Sequence, residues 1–272
     1  GLERVRAMCQ NDAHLFVRLD QVGEEFAKVV NLILDVYKDF HFDNYTFRLS
    51  LRGKEKEKYF DNDEMWDKAE NMLRKVLTDL KLDFYEAEDE AAFYGPKLDV
   101  QIKSAIGHDV TLSTCQLDFL LPERFDLSYI DEHGEKQRPV VLHRAILGTF
   151  DRFTAFLLEE TKGNLPLWLV PIQVKILPIS EKQNDYCEEL LEKVQKTGIR
   201  VAYDSRNEKI GYKIREAQME KIPYMLVVGD KEKEENKVTV RSRSKADLGT
   251  ISIDEFIEKV LGEIKDKKSI GE

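Results

Sequence analysis

The chain has 272 residues, 42% hydrophobic and 35% charged, which fits one large or two ordinary globular domains. Its formal net charge of −10 argues against a protein that coats nucleic acid; the acid excess is local, with 22 Lys+Arg against 32 Asp+Glu before Gln173 and 20 against 20 from there on. No long apolar run is present, which excludes a helical membrane span, no signal-peptide core is visible, and three distant cysteines without a CxxC pair fit a reducing, cytoplasmic compartment.

The opening residues alternate as a strand does. Arg4, Arg6, Met8, Gln10, Asp12 and His14 share one face, and Val5, Ala7, Cys9, Asn11, Ala13 and Leu15 share the other. The second face suits a core, with Asn11 as its exception. The first is either a sheet face in water or a binding face. Its arginines suit phosphates, its amide and carboxylate suit a small zwitterion, and its histidine suits a metal.

Helical spacing follows over Glu24–Phe40, then strand alternation over Thr46–Arg52. A second helix is predicted over Asn62–Leu80, with Asp63 as its cap. Leu98–Lys103 and Val110–Phe119 read as a hairpin around Ala105–Asp109. Within it, Thr114, Gln116 and Asp118 share a face that needs partners if buried. A short strand, Pro139–His143, leads to a helix from about Ala145 to Glu160. His143 is either a structural residue or a ligand. Arg152 either snorkels on its helix or aims at a triphosphate.

Gly163, Pro166 and Pro171 bracket a linker, which divides the chain into 1–165 and 166–272. Beyond it, strands at Gln173–Leu177, Arg200–Asp204, Tyr224–Val228 and Lys237–Arg243 alternate with helices at about Glu181–Lys196, Lys213–Lys221 and Ile253–Ile264. Lys231–Lys237 reads as a solvated turn. The predicted fold is α+β with a mainly antiparallel sheet, then α/β with a mixed sheet and right-handed crossovers.

The strings RVRxxxQxDAHLF, DEMWDKAE, AAFYGPKLD, STCQLDFLLPERFDLSY, RPVVLHRAILGTFDRF and DSRNEKIGYKIREAQMEKIPYMLVVGDKE together resemble threonyl-tRNA synthetase, over essentially the whole chain. The resemblance implies part of a class II synthetase catalytic core followed by an anticodon-binding domain. It implies a ligase that activates threonine with ATP and magnesium and acylates tRNA(Thr), as a cytoplasmic homodimer. It also implies a zinc ion that takes the substrate's amino and hydroxyl groups and so discriminates against valine.

Carried over position by position, His14 and His143 match the zinc histidines. Asp12 matches the carboxylate for the threonine hydroxyl, and Gln10 and Tyr94 match substrate-positioning residues. Arg4 matches an arginine of motif 2 and Arg152 that of motif 3, both toward ATP, with Met8 where an aromatic ring usually lies under adenine. Lys97, Thr114, Gln116 and Thr149 fall in strings that line the same pocket. Asn207, Arg215, Glu232 and Arg241 match anticodon contacts, and Lys221 stands where arginine is common. Val110–Leu112 departs from the family's usual string.

Motif 1, the first half of motif 2 with its arginine, and the cysteine that is the third zinc ligand have no counterpart in the sequence. The expectation is therefore the C-terminal part of such a ligase, inactive alone. The alternative is a truncated, non-catalytic paralogue that binds tRNA or a protein partner. Retention of Gln10, Asp12, His14 and His143 favours the first.

Overall fold

In the computed structural model the opening strand, β1, runs Gln10–Val17 and begins at Gln10 rather than Arg4. The reason is its partner. Gln10 pairs with Thr149, the last strand residue before a helix, so among the described residues no strand lies beside residues 4–9. Residues 1–105, 107–243 and 247–268 are described; Ile106, within the predicted Ala105–Asp109 turn, lies outside them. The chain divides into two units, Gly1–Glu160 and Thr161–Glu272.

In the first unit β1 is followed by α1 (Val22–Asp39), β2 (Tyr45–Ser50), α2 (Asp63–Asp79), β3 (Phe84–Ala87), β4 (Lys97–Lys103) and β5 (Asp109–Asp118). A short helix α3 (Leu120–Arg124) and a small hairpin of β6 (Tyr129–Ile130) and β7 (Lys136–Gln137) lead to β8 (Val140–Thr149) and α4 (Phe150–Thr161). The six-stranded sheet has the order β1-β8-β5-β4-β2-β3 and is antiparallel except at β2–β3. The stripe Val22, Phe26, Val29, Val30, Ile33 and Tyr37 buries α1, and Trp66, Ala69, Leu73 and Leu77 bury α2. These side chains join Leu49, Leu98, Cys115, Leu117 and Leu142 in the core. Each fully buried leucine contributes roughly 1.5–3 kcal/mol.

Three local expectations are corrected. The cap of α2 is Asn62, whose side chain accepts from the Met65 N–H at 3.0 Å; Asp63, one residue further, pairs with Arg52. Residues 145–149 extend β8 instead of starting α4. Gly148 has φ +62°, a conformation that favours glycine, and helix begins only after Thr149, whose Oγ1 accepts from the Arg152 N–H at 3.4 Å. Asn11 is no misfit on the core side. It lies where the β1–β8 register shifts, and its Oδ1 accepts from the Ile146 N–H at 3.3 Å.

In the second unit the elements are β9 (Val174–Pro178), α5 (Asn184–Gln195), β10 (Val201–Tyr203), α6 (Ile210–Met219), β11 (Tyr224–Val228), α7 (Asp230–Glu235), β12 (Lys237–Ser242), β13 (Gly249–Ser252) and α8 (Ile253–Lys265). The sheet order is β10-β9-β11-β12-β13, with the first three strands parallel and the last two antiparallel. Val174 and Ile176 pack with α5 and α8, while Leu177 and Met225 pack with α6. Opposite strand parity puts these helices on opposite faces. The segment read as a solvated turn contains α7. Glu232 holds its start by accepting from the Gly229 N–H at 2.9 Å, which a sequence count of charges does not reveal.

Candidate active site

Strand register builds two rows across the first sheet. One runs His14, His143, Gln116, Lys97, Ser50; the next runs Asp12, Ala145, Thr114, Asp99, Arg48. All lie on the face away from Leu98 and Leu117, because they share the opposite parity. The apolar alternation that buries one side therefore lays out a polar field on the other.

His14 and His143 are direct cross-strand partners, with ring centroids 4.7 Å apart at nearly right angles. His143 Nε2 lies 2.7 Å from Oδ2 of Asp118, which is fully buried. The other oxygen, Oδ1, accepts from the N–H groups of Leu120 and Leu121, both at 2.9 Å, at the start of α3. A carboxylate so placed accepts, so His143 Nε2 is the donor of this bond. Two imidazoles alone fall short of the three protein ligands usual for catalytic zinc. Among the described residues no group of three or more His, Cys, Asp and Glu is placed to hold a metal. Cys9 is exposed and precedes β1.

Tyr94 comes to this field from the turn before β4. Its ring is 5.5 Å from His143, and its hydroxyl donates to Gln116 Oε1. Burial pushes its phenol above the usual range, and Asp118 and Asp12 add to the shift. Gly95 explains the Tyr-Gly-Pro string: the turn lies directly on β5, with no room for a side chain over Leu117.

Asp99 is the buried anchor of the second row. Its Oδ2 accepts from Arg48 at 2.9 Å, Lys97 at 2.9 Å and Ser50 at 3.1 Å, and its Oδ1 from Thr114 at 2.9 Å. Burial alone would raise its carboxyl pKa. The bonds from Arg48, Lys97 and Thr114 outweigh this and hold it below the usual range.

Of the residues expected at ATP, Thr114 belongs to the second row, and Arg4, Met8, Thr149 and Arg152 lie outside the two rows. Arg4 and Arg152 line one cavity with Glu3, Ser104, His108 and Glu159, and neither Asp12, His14, Tyr94, Gln116 nor His143 lines it. Arg152 Nε donates to the Glu3 carbonyl at 3.2 Å. Met8 is half exposed, with Gln10 Nε2 3.7 Å from its sulfur. Thr149 caps α4.

In the second unit, Asn207 lines a crevice with Pro178, Ser180 and the fully buried Lys213, at the C-terminal ends of β9 and β10. Such ends are the usual ligand side of a parallel sheet. Lys213 donates to the carbonyls of Pro178 and Asp204, both at 3.2 Å. Arg215 is exposed on α6 beside Tyr212 and Met219. Lys221 has φ +62° just past α6, and its carbonyl accepts from Arg243 at 2.9 Å, so its backbone ends that helix. Glu232 also accepts from Thr239 at 2.8 Å, and Arg241 Nε is buried without a partner.

Sequence reasoning missed Asp118, Asp99 and Arg48 as members of this field. The same-face spacing of Thr114, Gln116 and Asp118 was the available signal for the first. For Asp99 the signal was its even spacing from Lys97.

An antiparallel core with this polar face, followed by a mixed α/β unit, has known counterparts. The family model described as "tRNA synthetase class II core domain (G, H, P, S and T)" matches residues 1–161, and "Anticodon binding domain" matches residues 173–263. The chain belongs to the class II aminoacyl-tRNA synthetases. Within that class it is similar to threonine–tRNA ligases: 59% identical over 267 residues to that of Geobacillus sp. (strain WCH70), and 59% over 270 residues to that of Staphylococcus aureus (strain JH9). These alignments take 97% and 98% of this chain and 42% of each relative, so the chain spans about two fifths of their length. A crystal structure titled as the RNA binding domain of threonyl-tRNA synthetase from Cryptosporidium parvum Iowa II is 37% identical, with TM-score 0.89, covering 96% of this chain and 65% of that one. A putative threonyl-tRNA synthetase from Aeropyrum pernix is 27% identical, with TM-score 0.79, covering 98% and 65%. No described helix is long and apolar enough to cross a membrane.

Proposed function

We propose that these residues carry the amino-acid face and the anticodon-reading unit of a threonine–tRNA ligase, cytoplasmic and homodimeric in its complete form. The observation that supports this best is the cross-strand pair His14–His143, oriented by Asp118 and continued in register by Gln116 and Lys97. A generic solvated sheet face does not seat a histidine on a fully buried carboxylate.

In this reading Gln10, Asp12, Tyr94 and Gln116 orient the amino acid, and Lys97 supplies positive charge beside it. Arg4 and Arg152, with Met8 and Thr149, meet ATP and its magnesium, while Thr114, also expected at ATP, is bonded between Asp99 and Gln116. His14 and His143 give two ligands of a zinc ion; the remaining ligand comes from outside these 272 residues. Asn207, Arg215, Lys221, Glu232 and Arg241 meet the anticodon of tRNA(Thr), where splayed bases are read by hydrogen bonds and stacking.

The test joins this chain to the N-terminal region of the Geobacillus ligase in place of the matching segment. Threonine-dependent, valine-independent ATP–pyrophosphate exchange and charging of tRNA(Thr) are expected. Absence of both sinks the reading. The 272 residues alone are expected to show no exchange.

A further inference from the structure

Thr114 has a single hydroxyl proton and spends it on Asp99 Oδ1, at 2.9 Å. Its oxygen can then only accept, and it accepts from Gln116 Nε2 at 3.3 Å. With the amide nitrogen committed to Thr114, the Gln116 carbonyl oxygen turns to Tyr94, whose hydroxyl donates to it. The phenol oxygen is left with its lone pairs free. The direction of every link follows from the first, and the first is fixed because Arg48, Lys97 and Ser50 all donate to Asp99 from the other side. Asp99 is 1% exposed, so water does not compete for these bonds.

We propose that Asp99 is a positioning residue that sets the direction of this chain and so makes the Tyr94 oxygen an acceptor for an N–H of the substrate's amino group. The identity of the ligand rests on the function proposed above; the direction of the chain does not.

Replacing the carboxylate by its amide makes a specific reversal. In Asp99→Asn, Arg48 and Lys97 hold the remaining oxygen, so the new NH2 faces Thr114. Thr114 then accepts from it and donates to Gln116 Oε1. Gln116 turns its NH2 to Tyr94, and the phenol oxygen is consumed as an acceptor. The ion pairs with Arg48 and Lys97 become neutral hydrogen bonds and every link of the chain is kept, yet the face shown to the substrate changes from acceptor to donor.

Neutron diffraction from crystals of the deuterated chain reads this directly. In the parent, deuterium on Thr114 Oγ1 points to Asp99 and that on Tyr94 points to Gln116. In Asp99→Asn both are expected to point the other way. Unchanged deuterium positions in the variant overturn the proposal. In the joined ligase, Asp99→Asn is expected to raise the KM for threonine by up to about tenfold, the upper worth of one neutral hydrogen bond, with the KM for ATP moved less than about twofold. Thr114→Val cuts the same link without touching Asp99 and covers the case in which Asp99→Asn does not fold. It should raise the threonine KM similarly, and the double variant no further than either single one. A threonine KM unmoved in Thr114→Val, or effects that multiply, overturns the proposal. If the joined parent enzyme shows no threonine dependence, the function proposed above fails and the neutron result alone decides the role of Asp99.

Discussion

A Cβ placed on Gly95 would lie 1.8 Å from the carbonyl oxygen of Leu117, so the turn that carries Tyr94 rests directly on the β5 backbone. No side chain fits without pushing the turn away. Gly95→Ala is expected to cost about 1–3 kcal/mol, as overpacking does, and to displace Tyr94 from Gln116. Denaturant unfolding measures the first effect. A variant within about 0.5 kcal/mol of the parent would show that the turn lifts freely.

Asp118 joins a histidine to the start of a helix. Asp118→Ala leaves the N–H groups of Leu120 and Leu121 and the His143 Nε2–H without their acceptor. The expected loss is about 2–4 kcal/mol, with freer reorientation of the His143 ring. His143→Ala leaves the two backbone bonds in place and should cost less. Equal losses in denaturation would contradict this division.

Asp99 makes stability depend on acid. Its folded pKa is depressed, chiefly against burial, by Arg48, Lys97 and Thr114, while the unfolded carboxyl titrates near 3.9. The unfolded chain therefore binds the proton first. The Asp99 contribution is complete above about pH 5 and is lost as pH falls through about 4 toward the lower folded value. The stability gap between the parent and Asp99→Asn should shrink between pH 6 and pH 3. A gap constant over that range would show that the pairing does not bear on folding.

The three cysteines should separate by reactivity. Burial pushes the thiols of Cys115 and Cys187 up to about 12, whereas Cys9 is exposed. A neutral thiol reagent is expected to modify one cysteine of the folded chain quickly and the other two only on unfolding. Fast labelling of Cys115 would require the sheet to open.

Much of the fold was legible because period decides it. The stripes of α1 and α2 and the alternation of β4, β5 and β12 appear in the residues themselves. What failed was local. The end of β8 was read as helix because Ala145, Ile146 and Leu147 suit either state, and the deciding features, the bulge opposite Asn11 and the Thr149 cap, are tertiary and terminal. The opening strand was read too long because alternation says nothing about whether a neighbour exists. For the site, residue types pointed to Gln10, Asp12, His14 and His143. The side chains that orient the field, Asp118 and Asp99, came from pairing register, which spacing along one strand does not contain. The displacement of Arg4 and Arg152 from that field is likewise a matter of where the chain runs before β1.

The place of β1 at the edge of its sheet also dictates when it can form. Among the described strands its partner is β8, and His14 meets His143, some 130 residues later in the chain. During synthesis at roughly 5–20 residues per second, β1 emerges on the order of ten seconds before β8. Closing so long a loop is slow for entropic reasons, so the face that carries the histidine pair is completed only after β8 is made.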